Sequence, residues 1–334
     1  MKTPTASVLR IVRIVALLAA ALGPLKAMAL DFRPDASRVV SDPAYLPTQG
    51  QFFGSTLYTY SRATSDQDNY VGLPLSSNQT TVRTATQLFE YGAADDLTFR
   101  LNGFYQSIGS TNNYASGATT FTRSEGMSDP TLGLTWRAID QARHPLSLDL
   151  LGSYTPDLIY ARSATSAVEG TVARGGATAA LGAALSRKTK AFTLYGEVLA
   201  TNLGSRATQN PTNNVITDYS ASWQYSLLLN TQTRFAAYGS LNLGLTETLS
   251  DRVAASFINT ADKLVEFTNA PARDTKLNAA LNFQAVPNRL VASLIYTHDF
   301  YGPGSNNYPV QYKSDTTTPD KKSSSLGVEL RYVL

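Results

Sequence analysis

From Gln51 to the end of the chain, apolar and polar residues alternate with a period of two in segments of about ten residues. In the last segment Leu326, Val328, Leu330, Tyr332 and Leu334 share one face, and Ser325, Gly327, Glu329 and Arg331 lie on the other. Period two is the signature of a β-strand with one apolar and one polar face. The same division puts Leu97, Phe99, Leu101 and Tyr105 opposite Thr98, Arg100, Asn102 and Gln106, and Leu132, Leu134 and Trp136 opposite Thr135 and Arg137. Further along, Leu148, Leu150 and Tyr154 oppose Asp149 and Ser153, and Phe192, Leu194 and Val198 oppose Tyr195 and Glu197. Tyr219, Ala221, Trp223, Tyr225, Leu227 and Leu229 form the most regular apolar face, and Leu277, Leu281 and Phe283 oppose Lys276 and Asn282.

The connections sort into two kinds. Short turns are expected at Ala93–Asp96, Asp140–Pro145, Arg187–Lys190, Asn230–Thr233 and Val286–Asn288. Polar loops are expected at Ala63–Thr81, Ile108–Ser128, Pro156–Ala173, Asn202–Thr217, Glu247–Asp274 and Tyr301–Lys322. Long and short connections alternate strictly around about twelve strands, which is the pattern of a membrane barrel with short periplasmic turns and long external loops. The expected fold is all-β: a transmembrane antiparallel up-and-down β-barrel over residues 52–334.

In such a barrel the apolar face meets lipid and the polar face lines the lumen. Tyr91, Phe99, Trp136, Phe192, Phe235, Phe283 and Tyr332 all fall near a short turn or the C-terminus, so they are expected to form an aromatic girdle at the periplasmic interface. The lumen-lining candidates are Glu90, Arg100, Arg137, Asp149, Glu197, Arg234, Lys276, Glu329 and Arg331. Two readings of these charges stand side by side: a constriction that selects permeants, or paired braces across a narrow lumen.

The start of the chain has a different character. Lys2, Arg10 and Arg13 precede an apolar run from Ile14 to Leu25, and Ala27-Met28-Ala29 offers a small-x-small cleavage site. Residues 1–29 read as a secretory signal peptide. Residues 30–51, broken by Pro34, Pro43 and Pro47, read as an irregular lead-in that either stays at the periplasmic side or folds back into the lumen. Four of the 28 basic residues and none of the 25 acidic ones leave with the signal, so the mature balance is −1 and argues against a nucleic-acid partner. The chain has no cysteine and two histidines, and no metal or cofactor is expected. His144 lies in a turn, and His298 points with Tyr296 and Phe300 rather than into a site, so no catalytic residue is assigned.

The final strand resembles the closing strand of bacterial outer-membrane barrels, with Leu334 in place of their usual phenylalanine. That likeness implies recognition by the barrel-assembly machinery and outer-membrane lipid as the surrounding partner. Gly126, Asp129, Gly133 and Arg137, in the stretch Gly126-Met127-Ser128-Asp129-Pro130-Thr131-Leu132-Gly133-Leu134-Thr135-Trp136-Arg137, resemble the Gly-x-x-Asp-x-x-x-Gly-x-x-x-Arg stretch of the outer-membrane barrel family named for the meta-pathway of phenol degradation. Tyr91-Gly92 and Asp95-Asp96-Leu97-Thr98 are similar to it as well. The resemblance implies passive transport of aromatic or other apolar small molecules. A structural or adhesive barrel is the alternative, and an outer-membrane hydrolase a more remote one.

Overall fold

Alternation of apolar and polar side chains builds one continuous sheet that closes on itself. The structure, a computed structural model, describes residues 39–69, 74–236, 238–259, 261–301, 304–307, 316–318 and 321–334, all within the unit Pro34–Leu334. The signal-peptide reading of residues 1–29, the first part of the lead-in and most of the last loop lie outside the described residues. In chain order the strands begin with β1 (Phe52–Asn69), β2 (Pro74–Ala94), β3 (Leu97–Tyr114), β4 (Thr119–Met127), β5 (Thr131–Ile139) and β6 (Ser147–Thr155). They continue with β7 (Thr178–Lys188), β8 (Phe192–Leu203), β9 (Arg206–Gln209), β10 (Ile216–Tyr219), β11 (Ser222–Ala236) and β12 (Gly239–Ser250). The remainder are β13 (Val253–Ile258), β14 (Leu264–Asn269), β15 (Ala272–Val286), β16 (Leu290–Tyr301), β17 (Gly304–Asn307), β18 (Thr316–Thr318) and β19 (Lys321–Val333).

Twelve of these strands form a closed antiparallel barrel wall, in the order β1, β2, β3, β5, β6, β7, β8, β11, β12, β15, β16 and β19. β19 closes it, pairing with β16 on one side and with β1 on the other from Phe53↔Val333 to Thr64↔Lys322. Closure leaves the wall no free edge, which a membrane demands because lipid cannot satisfy an open row of N–H and C=O groups. Phe99, Leu101, Leu132, Leu134, Trp136, Leu181, Leu243, Leu294 and Leu330 stand exposed on the outer face. Their neighbours Thr98, Thr135, Asp149, Thr193, Asn282 and Glu329 are buried on the inner one.

Three expectations need correction. The turn expected at Asn230–Thr233 is strand: β11 pairs with β8 as far as Thr233↔Phe192, and the reversal comes after Ala236. Its polar residues belong to a lumen, where Gln232 is fully buried and donates from Nε2 to Ser41 and to Ser240 Oγ. The expected loops Ala63–Thr81 and Ile108–Ser128 are largely strand too, as extensions of β1, β2 and β3 and as β4. There the ladder is held by polar side chains, with Asn78 Nδ2 donating to Asn112 Oδ1 at 2.5 Å and the Thr80 and Ser110 hydroxyls 3.0 Å apart. Cross-strand polar pairs stabilise a sheet without an apolar stripe, so periodicity gave no sign of it.

The third correction concerns phase. β10–β11, β12–β13 and β14–β15 are each interrupted, and consecutive residues are exposed at each break: Ser220-Ala221, Asp251-Arg252 and Pro271-Ala272. The hydrogen bonds shift in step. Asp251 N donates to Trp223 O, yet the next such pair is Ser220 N to Ala254 O, an odd number of residues further on. A shift of one residue flips every side chain beyond it to the other face. Below the breaks the even residues face inward, as Gln232, Asn242 and Asn282 do. Above them the odd ones do: Ala255 and Val265 are buried, while Ile258 and Leu264 are exposed. Tyr219, expected outside beside Trp223, therefore faces in.

Candidate functional site: the lumen

At the periplasmic end, residues 39–51 enter the barrel and pack against its inner wall. Val40, Phe53 and Val291 form a small apolar core, with Tyr45, Leu88 and Val333 against it. Gly92 permits the close approach, since a Cβ there would lie 2.0 Å from the Thr48 carbonyl oxygen. Gly50 N donates to Gly92 O and Gly92 N to Gln51 O, so the segment joins the barrel by its backbone.

Asp42 is the anchor of this segment. Its Oδ2 lies 3.0 Å from Lys188 Nζ and 3.6 Å from Arg234 Nη2, and it accepts from Thr193 Oγ1 at 3.2 Å. Beside it Arg137 donates to both carboxylate oxygens of Asp149, at 2.8 and 2.9 Å, and from Nη2 to Ala44 O at 2.9 Å. Neither Asp42 nor Lys188 stood out in the sequence. Asp42 sits in an aperiodic, proline-broken run, and Lys188 lies among the residues expected to turn.

The nine charged residues named from alternation all face the lumen. Arg100 Nε meets Glu90 Oε1 at 2.6 Å, and Arg331 Nη2 meets Glu329 Oε2 at 2.9 Å, with Ser55 Oγ donating to the other Glu329 oxygen. Glu197 accepts from Tyr195 Oη at 2.5 Å. Lys276 Nζ lies 3.5 Å from Asp299 Oδ1 at the outer end of the wall. Burying a charge is costly unless a partner compensates it, and each of these cations has a carboxylate beside it. The girdle candidates turn the other way. Tyr91, Phe99, Trp136, Phe235 and Phe283 are exposed, while Phe192 and Tyr332 are half-buried on the same outer face.

The Gly126–Arg137 stretch coincides with the break between β4 and β5. Gly126 has φ 143°, and the chain leaves the β5–β6 ladder so that β4 pairs with β3 alone among the strands. Asp129 Oδ1 closes the gap by accepting from Leu158 N and Ile159 N at 2.9 and 2.8 Å. Gly133 makes room for Arg100, whose Cβ would sit 3.3 Å from a Cβ at that position. His298 Nδ1 lies 2.8 Å from Ser324 Oγ on the outer face, while Asp299 points inward to Ser323 and Lys276, so the two do not form a dyad.

Higher in the lumen the lining changes. Tyr219, Phe267 and Phe257 form a chain of rings, with centroids 6.4 and 6.3 Å apart, beside Val265 and Ala255. Arg206 lies over the Tyr219 ring, 4.2 Å from its centroid. The strip ends in a cleft of about 290 Å³ whose lining includes Thr208, Thr217, Asn210, Asn259 and Phe257. Sequence reading placed most of these residues in loops.

No protein-family model matches the chain, and no protein of curated function matches it in sequence. Solved structures do. An outer-membrane channel from Pseudomonas putida F1 is 16% identical, with 88% of this chain and 99% of that chain covered and a TM-score of 0.54. The transport unit of the autotransporter AIDA-I from Escherichia coli is 11% identical, covering 85% and 90%, with a TM-score of 0.53. The Pseudomonas putida toluene transporter TodX is 13% identical, covering 90% and 95%, with a TM-score of 0.44. The first two share this chain's fold, that of an outer-membrane β-barrel.

Proposed function

We propose that the chain is a bacterial outer-membrane channel for passive entry of small molecules, aromatic or otherwise apolar. The observation that carries this reading is the inward-facing strip of Tyr219, Phe257, Phe267 and Val265, set above a lower lumen where hydroxyls, amides and paired charges surround the small Val40–Phe53–Val291 core. An apolar lining facing inward has no use in holding the barrel in lipid. It offers a binding surface to a solute descending from outside. The fold shared with the Pseudomonas putida channel supports the same reading. In this proposal lipid surrounds the exposed outer face, the named aromatics sit at the periplasmic interface, and β19 is the strand that the assembly machinery engages.

The tall wall of β1, β2 and β3, at 18, 21 and 18 residues against nine in β5 and β6, favours the rival reading of a barrel that displays its hairpins. Planar-bilayer recording separates the two. A channel gives discrete conductance steps, and uptake of an aromatic solute by cells expressing it exceeds that of cells without it. A silent bilayer together with unchanged uptake supports the display reading.

A further inference from the structure

Two arginines at the outer end of the lumen break the charge rule of its lower half. The lower cations and Lys276 each sit beside a carboxylate. Arg206 has no carboxylate within ion-pair distance among the described residues, and neither has Arg174. Instead they are neighbours. Arg206 Nη1 donates to Arg174 O at 3.2 Å, and Arg174 spends its guanidinium on the carbonyls of Gly175, Gly176 and Gly204. Both are half-buried. Burial, with Arg206 beside it, lowers the Arg174 pKa from the usual arginine value, and Asp157 opposes this only from beyond ion-pair range. Two like charges brought together out of bulk water, without an acid between them, favour an anion that would join them.

The second half of the observation is what lies against that charge. Arg206 is stacked on Tyr219, which leads to Phe267 and Phe257. Stacking occupies one face of the guanidinium, and its Nη1 is engaged with a carbonyl. Nε and Nη2 make no hydrogen bond to another residue among the described residues, and they form the edge that takes a carboxylate in a two-bond fork. We propose that Arg206, with Arg174 behind it and the Tyr219–Phe267–Phe257 strip beside it, is a binding site for arene carboxylates. The carboxylate sits on the free edge of Arg206 and the ring lies on the aromatic strip. This rests on the channel reading and names its substrate class.

The test is equilibrium binding to the detergent-solubilised full chain, by titration calorimetry with benzoate, benzyl alcohol and acetate. Benzyl alcohol keeps the ring without the charge, and acetate keeps the charge without the ring. Benzoate is expected to bind about tenfold or more tightly than either. Arg206→Gln should weaken benzoate about tenfold and leave benzyl alcohol unchanged, and Arg206→Lys should recover part of the loss. Heat-modifiable migration checks that each variant is folded; should Arg206→Gln fail to fold, the ranking on the unaltered chain decides. Equal binding of benzoate and benzyl alcohol, acetate as tight as benzoate, or benzoate indifferent to Arg206→Gln overturns the site. Binding needs no ion flow, so the two proposals fail separately. A silent bilayer with the ranking intact removes the channel and keeps the site, and a conducting channel with a flat ranking removes only the site.

Discussion

Arg137 and Asp149 face each other across β5 and β6, and both side chains are almost fully buried. Their two-bond geometry, with Ala44 O taking a further hydrogen, satisfies the guanidinium in a space that gives it little water. Asp149→Asn removes the negative charge while keeping the volume, and leaves Arg137 as a buried cation without its counter-ion. The expected cost is about 3 kcal/mol, read as a lower midpoint in denaturant unfolding of the refolded barrel. Glu169→Gln is the control, because Glu169 lies in the loop after β6, 60% exposed, where water screens its pair with Arg123. Equal shifts for the two variants would contradict the bracing role. The pair itself was legible in the sequence, since alternation alone placed Arg137 and Asp149 on the polar faces of adjacent strands. Asp42 was not, because a residue in an aperiodic segment has no neighbours that reveal which way it points.

At the scale of elements, β19 carries the most. It contributes ladders to both β1 and β16, and its last residues reach the mouth of the barrel, where Val333 packs on the Val40–Phe53–Val291 core and Leu334 N donates to Phe52 O. Deleting Tyr332–Leu334 strips those contacts and leaves the ends of β1 and β16 with unpaired backbone groups in lipid. The truncated chain is expected to accumulate outside the membrane, and fractionation with a heat-modifiability gel would show it. Normal membrane levels would count against this closure. Most of the wall strands were readable because lipid on one side and polar lumen on the other impose an alternation over about ten residues, although the two faces of β1 are not cleanly distinguished in sequence. The short strands β9, β10, β13 and β14 were not. Each has four to six residues, both of its faces see water or lumen, and the breaks reverse its phase relative to the wall strand that it continues. Val253, Phe257, Leu264 and Phe267 in the expected loop were the visible trace, apolar residues of which Phe257 and Phe267 turn inward and Leu264 is exposed.

For the whole molecule the question is what stands between the outer vestibule and the periplasm. Segment 39–51 lies against the inner wall of the lower lumen, and its attachment combines a small apolar core, backbone bonds at Gly92 and the charge cluster of Asp42. Those contacts differ in what they resist. The apolar core and the backbone bonds hold the segment's position, whereas Asp42 also sets a negative charge beside Lys188 and Arg234 and offsets part of their field in the passage. Asp42→Ala takes one carboxylate from beside both and loosens the segment at once. Conductance is expected to rise as the lower lumen opens, and the reversal potential under a salt gradient should move toward anions, because the lower lumen loses one negative charge and gains one unit of net positive charge. Single-channel recording of the variant beside the unaltered chain reads both quantities. A rise in conductance without a change of selectivity would mean that the segment obstructs the lumen while the path of the ions avoids Lys188 and Arg234. Unchanged conductance and selectivity would mean that the segment is not what limits flow, and the narrowing would then have to be sought elsewhere in the lumen, where Arg100, paired with Glu90, lies within electrostatic reach of Tyr195 and Glu197.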